Sequence, residues 1–204
     1  MHFQEFKGKL KDFKVFSVSD IRKVDAQFYP ARLTEWQKKG LIKKIRRGYY
    51  VFSDLVIREE ELFLIANRIY TPSYVSFESA LSYYGLIPEG VYTITSACGK
   101  KTARFHATVG EFSYRHIKPP LLFGYHLQKL GNQTYKIADR EKTVLDYLYL
   151  NPSIVSDADF HEWRFNSQEF MKSADMTKMH KYAKAFHSAR LMQRLEQFLI
   201  KVKK

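Results

Sequence analysis

Phe3, Phe6, Leu10 and Phe13 recur three and four residues apart, the spacing that lines one face of a helix, so the chain is expected to open on a short helix. "FSVSDIRKV" follows, with Ser17 or Ser19 available as the N-cap of a second helix. In "ARLTEWQKKG", Leu33 and Trp36 are spaced to face inward and Gly40 stands where a C-cap glycine belongs. With those two inward, Ala31, Glu35 and Lys38 point away from the core, and Arg32, Thr34 and Lys39 flank them. "LIKKI" and "YYVF" then read as two strands joined by "RRG", in which Gly48 supplies the unusual backbone angle a tight hairpin needs.

Beyond Phe52 the pattern changes. "DLVIREEELFLIANRIY" places Leu55, Leu62, Ile65 and Ile69 on one helical face, with Glu59, Glu60 and Glu61 expected in solvent. "TPSYVSFESALSYYGLIPEG" reads as a turn, then a helix capped by Ser76 and stopped by Gly85 and Pro88. From Val91 to Ala138 five strand-like runs alternate with turn signals: "VYTITSA", "TARFHATV", "EFSYRHI", "LLFGYHLQKL" and "TYKIA". "DREKTVLDYLYLNP" returns to helix. A stripe of Ala185, Ala189, Met192, Leu195, Leu199 and Val202 then runs through what reads as one long basic helix. The fold class expected is α+β, with three helices and a hairpin in residues 1–53 and a mixed α+β domain with C-terminal helices in residues 54–204.

Charge changes this picture by its distribution. Residues 1–53 hold 13 Lys/Arg against 5 Asp/Glu, residues 54–169 hold 12 against 14, and residues 170–204 hold 9 against 2. Two basic ends flank a near-neutral body, which is the electrostatic footprint of a protein that meets a polyanion or an acidic partner. The hydrophobic share of 45% is enough for a packed core. The single cysteine, Cys98, excludes an internal disulfide and a thiolate zinc site, and fits a reducing compartment. The charged N-terminus does not read as a signal sequence, and no run of about 18 apolar residues is present, so a cytoplasmic protein is expected.

Three short helices followed by a basic hairpin is the plan of a winged helix-turn-helix, in which the third helix enters the major groove and the hairpin lies along the backbone. The candidate DNA-contacting residues are Ser19, Tyr29, Ala31, Arg32, Thr34, Lys38 and Lys39, with Lys44, Arg46 and Arg47 on the hairpin. Arg32 and Lys38 have the reach for base edges or phosphates. Arg46 and Arg47, at the tip, suit phosphates or a narrow minor groove. Ser19 near a helix N-terminus offers a hydroxyl and amides to a phosphate. The alternative use of such a module is protein contact alone.

Three segments, "TPSYVSFESALSYYGLIPE", "FSYRHIKPPLLFGY" and "IADREKTVLDYLYL", resemble the AbiEi family, antitoxins and transcriptional regulators of bacterial type IV (abortive infection, phage defence) toxin–antitoxin operons. "RLTEWQKKGLIKKIRRGYYVF" is similar to that family's winged-helix region, and the resemblance spans roughly residues 15 to 150. It implies a repressor that binds an inverted repeat in its own promoter. It also implies an antitoxin that neutralises a nucleotidyltransferase-like toxin, by contact or functionally, with no cofactor and no catalysis. The rival classes are a solitary winged-helix regulator without a toxin and a metal-dependent DNA-processing enzyme.

The sequence offers little to an enzyme. "GVYTITSACGKKT" lacks the glycine a phosphate-binding loop needs, since Ile94 stands in its place. No G-x-S-x-G elbow occurs, and the histidines are scattered without metal-ligand spacing. Asp139, Glu141 and Lys142 could hold a divalent metal and activate water. The competing reading has "DREK" start a helix, its acids complementing the dipole for about 0.3–1 kcal/mol.

Overall fold

The computed structural model describes residues 2–203 and shows a mixed α+β chain, with ten α-helices and two sheets among those residues. The first helix, α1 (Phe3–Lys9), buries Phe6 and is followed by Leu10, also fully buried; Phe13 lies beyond the helix end. A two-residue strand, β1 (Phe16–Ser17), leads into α2 (Val18–Val24). Ser17 is the N-cap. Its hydroxyl accepts from Asp20 N–H while Asp20 accepts from Ser17 N–H, the reciprocal pair of a capping box. Ser19 therefore lies inside the first turn, exposed. Helix α3 (Ala31–Lys38) buries Leu33 and Trp36 as its spacing predicts, and Gly40 ends it at φ +67°.

Strands β2 (Ile42–Arg46) and β3 (Tyr49–Phe52) form the expected hairpin, and β1 adds to it in the order β1-β3-β2, all antiparallel. Successive residues on a strand face opposite sides, and here both sides are covered. Phe16, Ile42, Tyr50 and Phe52 meet Phe6, Ile21, Phe28, Leu33 and Trp36 of the N-terminal helices. Val15, Ile45 and Val51 face the other way, into a core shared with Phe63, Ile65, Phe112 and Tyr114 of the body. Residue 53 is where the hairpin ends, and apolar packing crosses it.

The body is built on a six-stranded mixed sheet. Helix α4 (Glu59–Ile69) packs on one of its faces. It starts later than Asp54, and Glu61 is buried rather than solvated because its carboxylate accepts Arg58 N–H at 3.0 Å as part of the helix cap. Strand β4 (Ser73–Val75), a stretch expected to be turn, is followed by α5 (Phe77–Tyr83). Then come β5 (Thr93–Cys98), β6 (Ala103–Ala107), β7 (Gly110–His116), β8 (Tyr125–Leu130) and β9 (Gln133–Ala138). The order is β6-β7-β5-β4-β9-β8, with β5 parallel to β7 and β4 parallel to β9. "LLFG" is not strand: a 3₁₀ turn at Pro119–Leu121 and Gly124 at φ +69° lead into β8.

Helices α5 and α6 (Arg140–Leu150) cover the second face, backed by α7 (Asp157–Glu162), α8 (Ser167–Ser173), α9 (Met176–Ala185) and α10 (Ala189–Val202). The single long C-terminal helix expected from the sequence is two. His187 at φ +47° breaks it and Ser188 caps α10 by accepting Leu191 N–H. Ala185 and Ala189 are exposed in consequence, and the buried stripe of α10 is Leu191, Leu195, Phe198, Leu199 and Val202.

Candidate nucleic-acid interface

With Leu33 and Trp36 held in the aromatic core, α3 turns Ala31, Thr34, Glu35 and Lys38 to solvent, with Arg32 half-buried at the edge of that face. Trp36 fixes the rotation of the helix: its ring lies 4.5 Å from Phe6 and 5.3 Å from Phe3, centroid to centroid. Tyr29, 69% exposed, stands just before the helix. A surface groove of about 550 Å³ runs here, with Tyr29, Ala31, Arg32, Glu35 and Lys39 along it. Four of the expected contact residues thus share one depression, and Thr34 and Lys38 sit on the outer surface of the same helix.

Glu35 places a negative charge in the middle of this basic face. Lys39 Nζ donates to it at 2.6 Å. That hydrogen bond first, then the charges of Lys39 and Arg32, hold its carboxyl below the ordinary range, so it is ionised at neutral pH. A carboxylate in such a place repels phosphate and can accept from a cytosine amino group.

On the hairpin the two tip arginines part company. Arg47 is exposed beside Gly48, which takes φ +84°. Arg46 folds back onto the body. Its guanidinium donates to the Ile69 carbonyl and lies 5.1 Å from the centre of the Tyr70 ring and 4.1 Å from that of Phe105. A half-buried guanidinium held by a carbonyl and two rings is a fastener between hairpin and body. Lys44 is exposed on β2, and so is its neighbour Lys43, which the sequence reading left out although "LIKKI" displays both. Ser19 is on α2, exposed.

Compared with family models and with curated proteins, the chain matches none.

A second tie holds the basic module in place. Arg68 of α4 donates to Asp20 at 2.5 Å. Burial alone would raise the Asp20 carboxyl, but hydrogen bonds from the Ser17 hydroxyl and N–H, with the Arg68 charge, bring it below its usual value.

The acidic residues considered for catalysis are placed as a helix start. Asp139 is the N-cap of α6, accepting Lys142 N–H at 2.9 Å. Its other oxygen accepts from Lys178 at 2.7 Å and Tyr182 at 3.1 Å. Glu141 accepts from Asp175 N–H at 2.7 Å and from Lys178 at 2.9 Å. The ammonium of Lys178 thus lies between the two carboxylates, where a bridging metal would have to sit. Burial pushes the Glu141 carboxyl upward, and the Asp175 amide and Lys178 more than reverse that. Lys142 points elsewhere, into the core. It pairs with Asp146, donates to Tyr74 Oη at 2.7 Å, and lies among the Tyr74, Phe123 and Phe186 rings. Ser76 donates to the same Asp146 at 2.9 Å, so its side chain is not spent on capping α5. Burial lowers the Lys142 ammonium and raises the Asp146 carboxyl, and the pair is retained by the hydrogen bonds that saturate it. Among the described residues, no three His, Cys, Asp or Glu side chains group as metal ligands, and no helix is long and apolar enough to cross a membrane.

Proposed function

We propose that residues 1–53 act as a winged helix-turn-helix that binds duplex DNA in the chain's own promoter, and that the protein is the repressor and antitoxin of a type IV toxin–antitoxin operon. The observation that carries the DNA half is the rotation of α3. Its apolar side is locked by Trp36 and Leu33, which leaves Thr34 and Lys38 on its outer surface and Arg32 at the edge of that face, next to a hairpin that exposes Lys43, Lys44 and Arg47. An eight-residue helix is about 12 Å long, which suits insertion of its N-terminal half into a major groove about 12 Å wide. In this reading Arg32 reads base edges, Glu35 discriminates against misplaced phosphate, and the hairpin lysines with Arg47 neutralise the backbone. The antitoxin half rests on the resemblance of "YVSFESALSYYGL" and "EKTVLDYLYL" to the AbiEi family, and on the α+β body that carries both segments.

One feature favours a ligand-responsive regulator as the second reading. Phe160, Trp163, Phe165 and Phe198 line a pocket of about 420 Å³, rimmed by Arg164 and Lys201, large enough for a small aromatic acid.

Titrating the protein onto its upstream promoter and onto a scrambled duplex of equal length tests the reading. Preferential, steeply salt-dependent binding to the promoter is expected, and Arg32→Ala should reduce the preference by about 1–3 kcal/mol. Equal affinity for both duplexes would sink the repressor assignment. Growth rescue from a co-expressed downstream nucleotidyltransferase-like product tests the antitoxin half.

A further inference from the structure

The turn between β5 and β6, Gly99–Thr102, has no part in the interface described above, yet it stands next to it. Lys100, Lys101 and Thr102 are exposed, and with Tyr70 and His116 they border a shallow groove of about 680 Å³. The turn is held firmly. Tyr70 Oη donates to the Lys101 carbonyl at 2.7 Å, and His116 Nδ1 meets the Lys100 carbonyl at 2.9 Å, as does Cys98 Sγ at 3.2 Å. Thr102 Oγ1 accepts His116 N–H at 3.1 Å. With both lysine carbonyls engaged by the body, the two exposed side chains are carried on a turn fixed by hydrogen bonds. No carboxylate pairs with either among the described residues.

The position of this turn relative to the hairpin is set by one ring. Tyr70 is touched by Arg46 of the hairpin at 5.1 Å and by Lys100 at 5.6 Å. Arg47, one residue on from Arg46, is exposed, and so is Arg104 on the edge strand β6. The shared Tyr70 ring thus brings a cationic turn of the body beside the basic hairpin, although the sequence of the body is near-neutral overall.

We propose that Lys100 and Lys101 are a second phosphate-contact point for duplex DNA, extending the contact surface from the hairpin onto the body. This rests on the DNA-binding reading above. The chemistry is that of ammonium groups displacing condensed counterions, so the contact adds affinity and register without reading bases. Arg46 and Tyr70 act as positioning residues that hold the two contact points at fixed separation.

The test uses the full chain, the upstream promoter duplex and a scrambled duplex, with affinity measured by fluorescence anisotropy from low to moderate salt. Lys100→Ala with Lys101→Ala should flatten the slope of log affinity against log salt by about 1.8, roughly 0.9 per phosphate contact. Both duplexes should be affected alike, and the melting temperature should be unchanged. Lys172→Ala with Lys184→Ala, removing equal charge from the opposite end of the chain, should leave the slope as it was. An unchanged slope in the turn variant, while wild type binds DNA, overturns the turn's role alone. An equal loss in both variants reduces it to net charge and overturns it as well. A turn variant that keeps its DNA slope but loses toxin rescue would assign the turn to a protein partner instead. Wild-type protein that binds neither duplex would overturn this proposal together with the DNA-binding reading.

Discussion

Two adjacent arginines illustrate how position along the chain and position in space diverge. Arg46 and Arg47 look equivalent in "RRGYY", and both were expected at phosphates. The hairpin end sends Arg46 onto the Tyr70 and Phe105 rings and leaves Arg47 in solvent. Arg47→Ala should therefore flatten the salt slope by about 0.9 at unchanged stability. Arg46→Ala should cost about 1–3 kcal/mol of folding stability, since a hydrogen bond and two ring contacts are lost. Urea melts beside binding isotherms separate the two. A melt that Arg46→Ala leaves untouched would remove the fastener. Nothing local distinguishes these residues in the sequence, because the rings that capture Arg46 lie 24 and 59 positions away. The same is true of Glu61, which looks solvated among "EEE" and closes a helix cap.

Elements were legible where periodicity or chain-breaking residues marked them. The rotation of α3 follows from Leu33 and Trp36, and its end from Gly40. β4 was missed because three residues between Pro72 and Ser76 are too short to show alternation, although the strand lies at the centre of the sheet. The break between α9 and α10 was missed because His187 takes φ +47° without a glycine or proline to announce it. The join between α6 and α9 also depends on distant partners. Glu141, which the sequence offers as a metal-binding carboxylate or as a complement to a helix dipole, is buried and ties α6 to Lys178 and to the Asp175 amide. Glu141→Gln should accordingly cost about 1–2 kcal/mol at pH 7. The Glu141 carboxyl titrates below its ordinary 4.5 in the folded protein. Its contribution is thus complete above that pH and is lost as pH falls through the lower, folded value. The gap between wild type and variant should narrow as the pH is taken down below 4.5 in thermal melts; a gap independent of pH would mean the charge on Glu141 contributes nothing.

At the scale of the molecule, the sequence marks a change of composition at residue 53 and the structure shows packing on both sides of it. Removing residues 1–53 would uncover the faces of Phe63, Ile65, Phe112 and Tyr114 that meet Val15, Ile45 and Val51, and would break Arg68 from Asp20. Fragment 54–204 should accordingly melt lower than the full chain and bind a hydrophobic dye that the full chain does not. Toxin rescue by that fragment with full-length stability would show that the body stands alone. The full chain should unfold in a single transition by fluorescence and circular dichroism.

Because the hairpin sheet is buried on both faces, its sequence answers to two sets of neighbours at once. A graft of another chain's counterpart of residues 1–53 would bring its own residues in place of Val15, Ile45, Val51 and Arg46 to a body shaped for these. Retargeting by exchange of the whole module therefore demands that the underside of the hairpin stay native while only the outward residues of α3 change. On the DNA-binding reading proposed above, the portable unit of specificity is the surface of one helix.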